Sequence, residues 1–129
     1  MRYHSLKPSD NTTICAIATP MGSGAIASIR LSGPKSFDIC SQLFVSNKAG
    51  KNVKDFKANS IHFGTIVEND ELIDEVLISV FKAPHSFTGE DIIEISCHGS
   101  AYIQQRILEC LINKVLPWLR PANLRFGLL

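Results

Sequence analysis

Between Thr12 and Phe81 the apolar positions fall into short, β-branched runs broken by glycine, proline and acidic turns. Thr12 to Ala18 is such a run and predicts a first strand. Thr19-Pro20-Met21-Gly22-Ser23-Gly24 has the composition of a loop. Ala25 to Ser32 then alternates. Ala25, Ala27, Ile29 and Leu31 share one face, and Ile26, Ser28, Arg30 and Ser32 share the other. Gly33-Pro34 ends this second strand and opens a helix on which Phe37, Cys40, Leu43 and Phe44 fall at helical spacing and point inward.

Ser60 to Val67 predicts a third strand, and Glu68-Asn69-Asp70-Glu71 an acidic turn that closes a hairpin. Leu72 to Phe81 is apolar on both faces, which predicts a central strand. Pro84, Ser86, Thr88 and Gly89 supply turn chemistry, and Glu90 and Asp91 keep the next strand entrance solvated. From Ile92 to His98 two faces separate again: Ile93, Ile95 and Cys97 on one, Ile92, Glu94, Ser96 and His98 on the other. Ser100 is placed to cap a final helix whose stripe runs Ile103, Ile107, Leu108, Leu111, Ile112, Val115 and Leu116 until Pro117 stops it. Two main helices and about five strands of unequal spacing, several joined as hairpins, give an α+β domain with a mixed or antiparallel sheet.

Composition narrows the function classes. A chain of 129 residues, 45% hydrophobic and 19% charged, has the profile of one ordinary globular domain. No apolar run approaches the roughly 18 residues of a membrane-crossing helix, and MRYHSLKPSDNTT lacks the apolar centre of an export signal. The expected address is cytoplasmic, with no membrane contact. A net charge of +1 makes no global case for nucleic acid. Lys48, Lys51, Lys54 and Lys57 form a local basic segment, weighed between a solvated loop and a patch that tracks phosphates.

Several decoys fall away. Cys15, Cys40, Cys97 and Cys110 have no CxxC and no ligand-like spacing, so they are expected as reduced, buried thiols. Cys97 and His98 are neighbours on a strand and point to opposite faces, which excludes a nucleophile–base pair there. Gly22-x-Gly24-x-x-Ala27 follows a strand but leads into period-two alternation, whereas a dinucleotide fingerprint needs a helix at once. No GxxxxGK followed by Ser or Thr occurs, so no P-loop and no GTP hydrolysis are expected of this chain. His4, His62 and His85 sit in polar or turn contexts and call for no special role. No catalytic and no metal-ligating residue is assigned. Arg30 and Glu94 remain. Each sits on the mostly polar face of a strand with an apolar reverse, where they suit a planar polar ligand, a solvated surface or a salt bridge to one another.

Three strings carry a resemblance: ATPMGSGAIASIRLSG (Ala18 to Gly33), DEV (Asp74 to Val76) and APHSFTGEDIIEISCHG (Ala83 to Gly99). Together they resemble the N-terminal domain of the MnmE (TrmE) family of GTPases that modify the wobble uridine of certain tRNAs. Residues 1–11 read by composition as a polar, flexible lead-in, and the resemblance implies a 12–120 folate-binding and dimerisation domain and a 121–129 tail that departs from the family pattern after Asn123. It implies a fold like the folate-binding region of the glycine-cleavage aminomethyltransferase, a homodimer, and a bound 5-formyl-tetrahydrofolate or related one-carbon folate. The family's folate-contacting arginine falls on Arg30 and its glutamate on Glu94. A flavin-dependent MnmG-type partner, and tRNA through the full complex, are implied for the whole protein. GTP, magnesium and potassium would belong to the family's GTPase domain, whose motifs are not in this sequence. A fragment of a folate-dependent aminomethyltransferase and a dimerisation scaffold without ligand are the rival readings.

Overall fold

The structure is a computed structural model that describes residues 12–18, 25–86 and 89–118. Its strands are β1 (Ile14–Ile17), β2 (Ile26–Ser32), β3 (Phe44–Ser46), β4 (Ser60–Glu68), β5 (Glu71–Phe81) and β6 (Ile92–His98). Two α-helices, α1 (Ser36–Ser41) and α2 (Ala101–Val115), complete the α+β architecture, with short 3₁₀ turns at Val53–Asp55 and Leu116–Trp118. The six strands form one sheet in the order β1-β2-β6-β5-β4-β3, and every pairing is antiparallel.

Both helices contribute to one core against one face of the sheet. Ala27, Ile29 and Leu31 of β2, Val76, Ile78 and Val80 of β5, and Ile93, Ile95 and Cys97 of β6 meet Ile39 and Cys40 of α1 and Ile107, Cys110, Leu111 and Val115 of α2. The apolar faces predicted for β2 and β6 are the buried ones. The Ser100 hydroxyl accepts from the Ile103 amide at 3.1 Å, the expected cap of α2. Gln104 is buried as well, and its amide donates to the Gly99 carbonyl at 3.1 Å. That bond gives the buried amide nitrogen a backbone acceptor.

The hairpin predicted at 68–71 is present. Asn69 and Asp70 both have positive φ, 51° and 64°, as a two-residue turn matched to strand twist requires. β5 is interior, paired with β4 and β6. Its second apolar face is not covered, however, because Leu77 is exposed.

One prediction fails at the end of α1. The helix stops at Ser41, Leu43 follows in a turn, and Phe44 begins β3, which pairs Phe44 with Ile66. All of Phe44, Leu43 and Cys40 are nonetheless buried. Helical and extended backbones can both turn these positions inward, and a six-residue helix leaves little periodicity to choose between them. Glycine decides that contact. A Cβ on Gly64 would lie 2.2 Å from the Val45 carbonyl and 2.5 Å from the Phe44 ring.

The loop predicted at 19–24, the lead-in and the tail lie outside the described residues. Among the described residues, no helix is long and apolar enough to cross a membrane.

Candidate functional site

In an antiparallel ladder, directly opposed residues share a face. β2 and β6 are paired so that Arg30 faces Glu94, with Ser28 opposite Ser96 and Ser32 opposite Ile92. The two residues singled out from sequence, 64 positions apart, are therefore next to each other. They lie on the sheet face that points away from the helices.

The Arg30 Nε–H donates to Glu94 Oε2 at 3.1 Å, and Nη2 donates to the same oxygen. Both side chains are 29% exposed. Because both bonds fall on Oε2, Glu94 keeps Oε1 as an acceptor that Arg30 does not use. The pair is thus held in place while a carboxylate oxygen and a guanidinium edge stay accessible. As an ion pair reached by solvent it adds at most about 1 kcal/mol to stability.

The strand ends fix this geometry. Ser32 Oγ donates to Glu90 Oε1 at 3.0 Å. The Ala83 amide donates to Asp91 Oδ1 at 2.9 Å. Glu90 and Asp91 are therefore built into the turn rather than left to solvent, a correction to the sequence expectation. Gly33 has φ 132°, and a Cβ there would sit 2.5 Å from Thr13 Cα. Its amide donates to the Asp91 carbonyl at 2.9 Å, and the Ser36 hydroxyl donates to the Gly33 carbonyl at 2.8 Å. One corner thereby ties β1, β2, α1 and the entrance to β6 together beside the pair.

A second polar pair was not predicted. Asp74, buried in β5, accepts from the His98 backbone amide at 2.8 Å through Oδ2 and meets His98 Nδ1 at 2.7 Å through Oδ1. A carboxylate only accepts, so Nδ1 carries a proton and Nε2 is the free ring nitrogen of an exposed imidazole. The signal was legible: Asp74 is the one polar residue in the buried alternation Asp74, Val76, Ile78, Val80. Cys97 is buried beside it, and its thiol is pushed up to about 11 by burial and then by the Asp74 charge. As expected from their alternation, Cys97 and His98 make no pair. Cys15, Cys40 and Cys110 are also buried and free, each raised to about 12 chiefly by burial.

His62, expected to have no special place, stacks on Phe56 with ring centroids 3.5 Å apart and planes 7° from parallel. Of the four lysines in the basic segment, Lys54 is paired with Asp38 at 2.6 Å.

Comparison with known proteins fixes the family. The sequence profile described as "GTP-binding protein TrmE N-terminus" matches residues 13–124. A tRNA modification GTPase MnmE of Parabacteroides distasonis is 58% identical over 103 residues, covering 79% of this chain and 22% of that protein. The protein of the same name from Bacteroides thetaiotaomicron is 55% identical over 111 residues, 86% of this chain and 24% of its own length. That of Flavobacterium johnsoniae is 53% identical over 102 residues, 79% of this chain and 22% of its length. The chain spans less than a quarter of the curated relatives it matches. A match across most of its length, with this identity, makes the chain a member of the MnmE (TrmE) family, corresponding to the N-terminal domain.

Proposed function

We propose that this chain is the dimerisation and folate-binding domain of a tRNA modification GTPase, with Arg30 and Glu94 holding a 5-formyl-tetrahydrofolate-type ligand. The observation that carries the reading is the direct opposition of these two side chains on an open, polar part of the sheet. Oε1 of Glu94 suits the paired N–H donors of an amino-pyrimidine ring, and Arg30 suits another polar edge of the ligand. The one-carbon chemistry would belong to the folate and to a flavin-dependent partner, with this domain supplying position and orientation. In the whole protein, tRNA would be engaged through the complete complex.

Self-association has its own support. Ile26, Ile61, Phe63, Leu77 and Val45 are large, apolar and exposed, and strand register puts them all on the face away from the helices. A two-fold contact between copies would cover this face. The scaffold reading without ligand is favoured by one feature, since Arg30 and Glu94 already satisfy each other in part.

Calorimetric titration of 5-formyl-tetrahydrofolate separates the two. Glu94→Gln replaces an ionic acceptor with a neutral amide and is expected to cost about 1.5–3 kcal/mol, or roughly ten- to a hundredfold in affinity. Arg30→Ala is expected to weaken binding comparably. Glu90→Gln is unsuitable as a control, because Glu90 accepts from Ser32 beside the site. Glu109→Gln, on the exposed side of α2, is the better one. Equal affinity of Glu94→Gln and the parent would remove the site assignment and leave the scaffold.

A further inference from the structure

The lysines of the basic segment between β3 and β4 are exposed, but they are not spread evenly over its surface. Asn52 caps the turn at Val53–Asp55 by accepting from the Lys54 amide at 2.9 Å. That turn folds the segment back on itself and sends its four lysines to two places. Lys54 leaves toward Asp38. Lys48, Lys51 and Lys57 instead line a hollow of about 240 Å³, shared with Ser46, Ser60 and His62. None of these three ammonium groups has an ion-pair partner among the described residues. Asp55 is the single carboxylate of the lining.

Three cations against one anion in a concave wall repel one another unless an anion enters. The site is small beside the roughly 300–1,000 Å³ of a drug-sized pocket, which suits a compact anion. Its wall is ordered: Phe56 is buried and carries the stacked His62 ring. Ser60 Oγ lies 2.5 Å from the Lys57 carbonyl, to which it donates, and 2.7 Å from His62 Nε2. A hydroxyl has one proton, so Nε2–H donates to Ser60 and Nδ1 is the nitrogen free to take a proton. The hollow lies at the β3–β4 edge, on the helix side of the sheet, because His62 is registered with the buried Ile78. Arg30 and Glu94 are on the other side.

We propose that this hollow is a phosphate-binding site, in which Lys48, Lys51 and Lys57 hold the oxyanion of a nucleic-acid backbone or of a small phosphorylated ligand. Ammonium groups neutralise phosphate as point charges and ask for no single ligand orientation, so both sources share this chemistry. The field is already felt at the wall. His62 is held below the usual histidine range by burial and then by the Lys48 charge. A bound phosphate offsets the charges of Lys48, Lys51 and Lys57, adds to that of Asp55, and so favours protonation of His62.

Two measurements on the 129-residue chain test this. In NMR, inorganic phosphate at fixed pH near 6.5 is expected to move the His62 ring signals saturably toward the protonated position. In fluorescence anisotropy, a labelled 20-nucleotide single-stranded RNA is expected to bind with a salt dependence that flattens by about two in log K against log salt when three lysine contacts are lost. Lys48→Ala/Lys51→Ala/Lys57→Ala should abolish the first response and weaken RNA at least tenfold. Lys114→Ala, in α2, should change neither. If RNA displaces phosphate from His62, the source is a nucleic-acid chain; if only phosphate acts, it is a small ligand. No saturable response to either, or a triple variant that behaves as the parent, overturns the proposal. Glu94→Gln should leave both responses unchanged, which keeps this result separate from the folate assignment.

Discussion

The sheet face away from the helices has two unlike halves. Toward β2 and β6 it carries Ser28, Arg30, Ser32, Glu94 and Ser96, with Arg30 bonded to Glu94 and Ser32 to Glu90, and one exposed apolar residue, Ile26, at the end of β2. Toward β5, β4 and β3 it carries Leu77, Phe63, Ile61 and Val45, which are exposed. Pleat and register are continuous from one half to the other, since Leu77 is registered with Ser96 and Ser96 with Ser28. Backbone geometry therefore does not distinguish them. Side-chain chemistry does: the polar half offers directional hydrogen-bonding groups, and the apolar half exposes large non-directional side chains to water.

Substitutions across the sheet provide the largest contrast. Ile95 is 0% exposed on the helix side, and Leu77 is 45% exposed one strand away on the other side. Ile95→Ala is expected to lower unfolding free energy by about 2–5 kcal/mol in urea titrations. Leu77→Ala should cost under about 1 kcal/mol in the dilute chain. A cost for Leu77→Ala that rises with protein concentration would show that a second copy covers this half. A cost equal to that of Ile95→Ala at every concentration would break the comparison.

Association itself comes next. Phe63→Ser with Leu77→Ser is expected to shift the sedimentation of the parent toward the monomer by at least tenfold in dissociation constant, with far-UV circular dichroism unchanged. Glu94→Gln should move association much less. If the polar substitution dissociates the chain and the apolar pair does not, the roles of the two halves are reversed.

A further contrast concerns the covered side. Burial holds Cys15, Cys40 and Cys110 at about 12 and Cys97 at about 11, against an ordinary 9.0. A raised folded pKa means that the folded chain keeps its protons while the unfolded chain loses them. Stability from these groups is thus complete below pH 9 and falls as pH rises through 9 toward 11–12. Urea midpoints measured from pH 8 to 10 should decline. Alkylation by iodoacetamide should be slow in the folded chain and fast in urea. Rapid labelling of Cys97 without denaturant would show that the covered side opens.

How much of this was legible follows from how local each signal is. The alternation at Ala25–Ser32 and Ile92–His98 named Arg30 and Glu94, and set Ile29, Leu31, Ile93 and Ile95 inside, because side-chain direction along a strand depends on the strand alone. The Asn69-Asp70 turn and the Ser100 cap were legible for the same reason: their chemistry lies within four residues. Phe44 was misplaced in a helix because burial there comes from Gly64 and Ile66, contacts that no nearby residue announces. Whether Arg30 faces Glu94 or lies a strand away, whether Asp74 reaches His98, and whether three lysines converge while Lys54 departs were decided only when β6 paired between β2 and β5 and the 53–55 turn folded back. The sequence determined which side chains share a face; tertiary structure decided which of them meet, because register and strand order depend on contacts far apart in the chain.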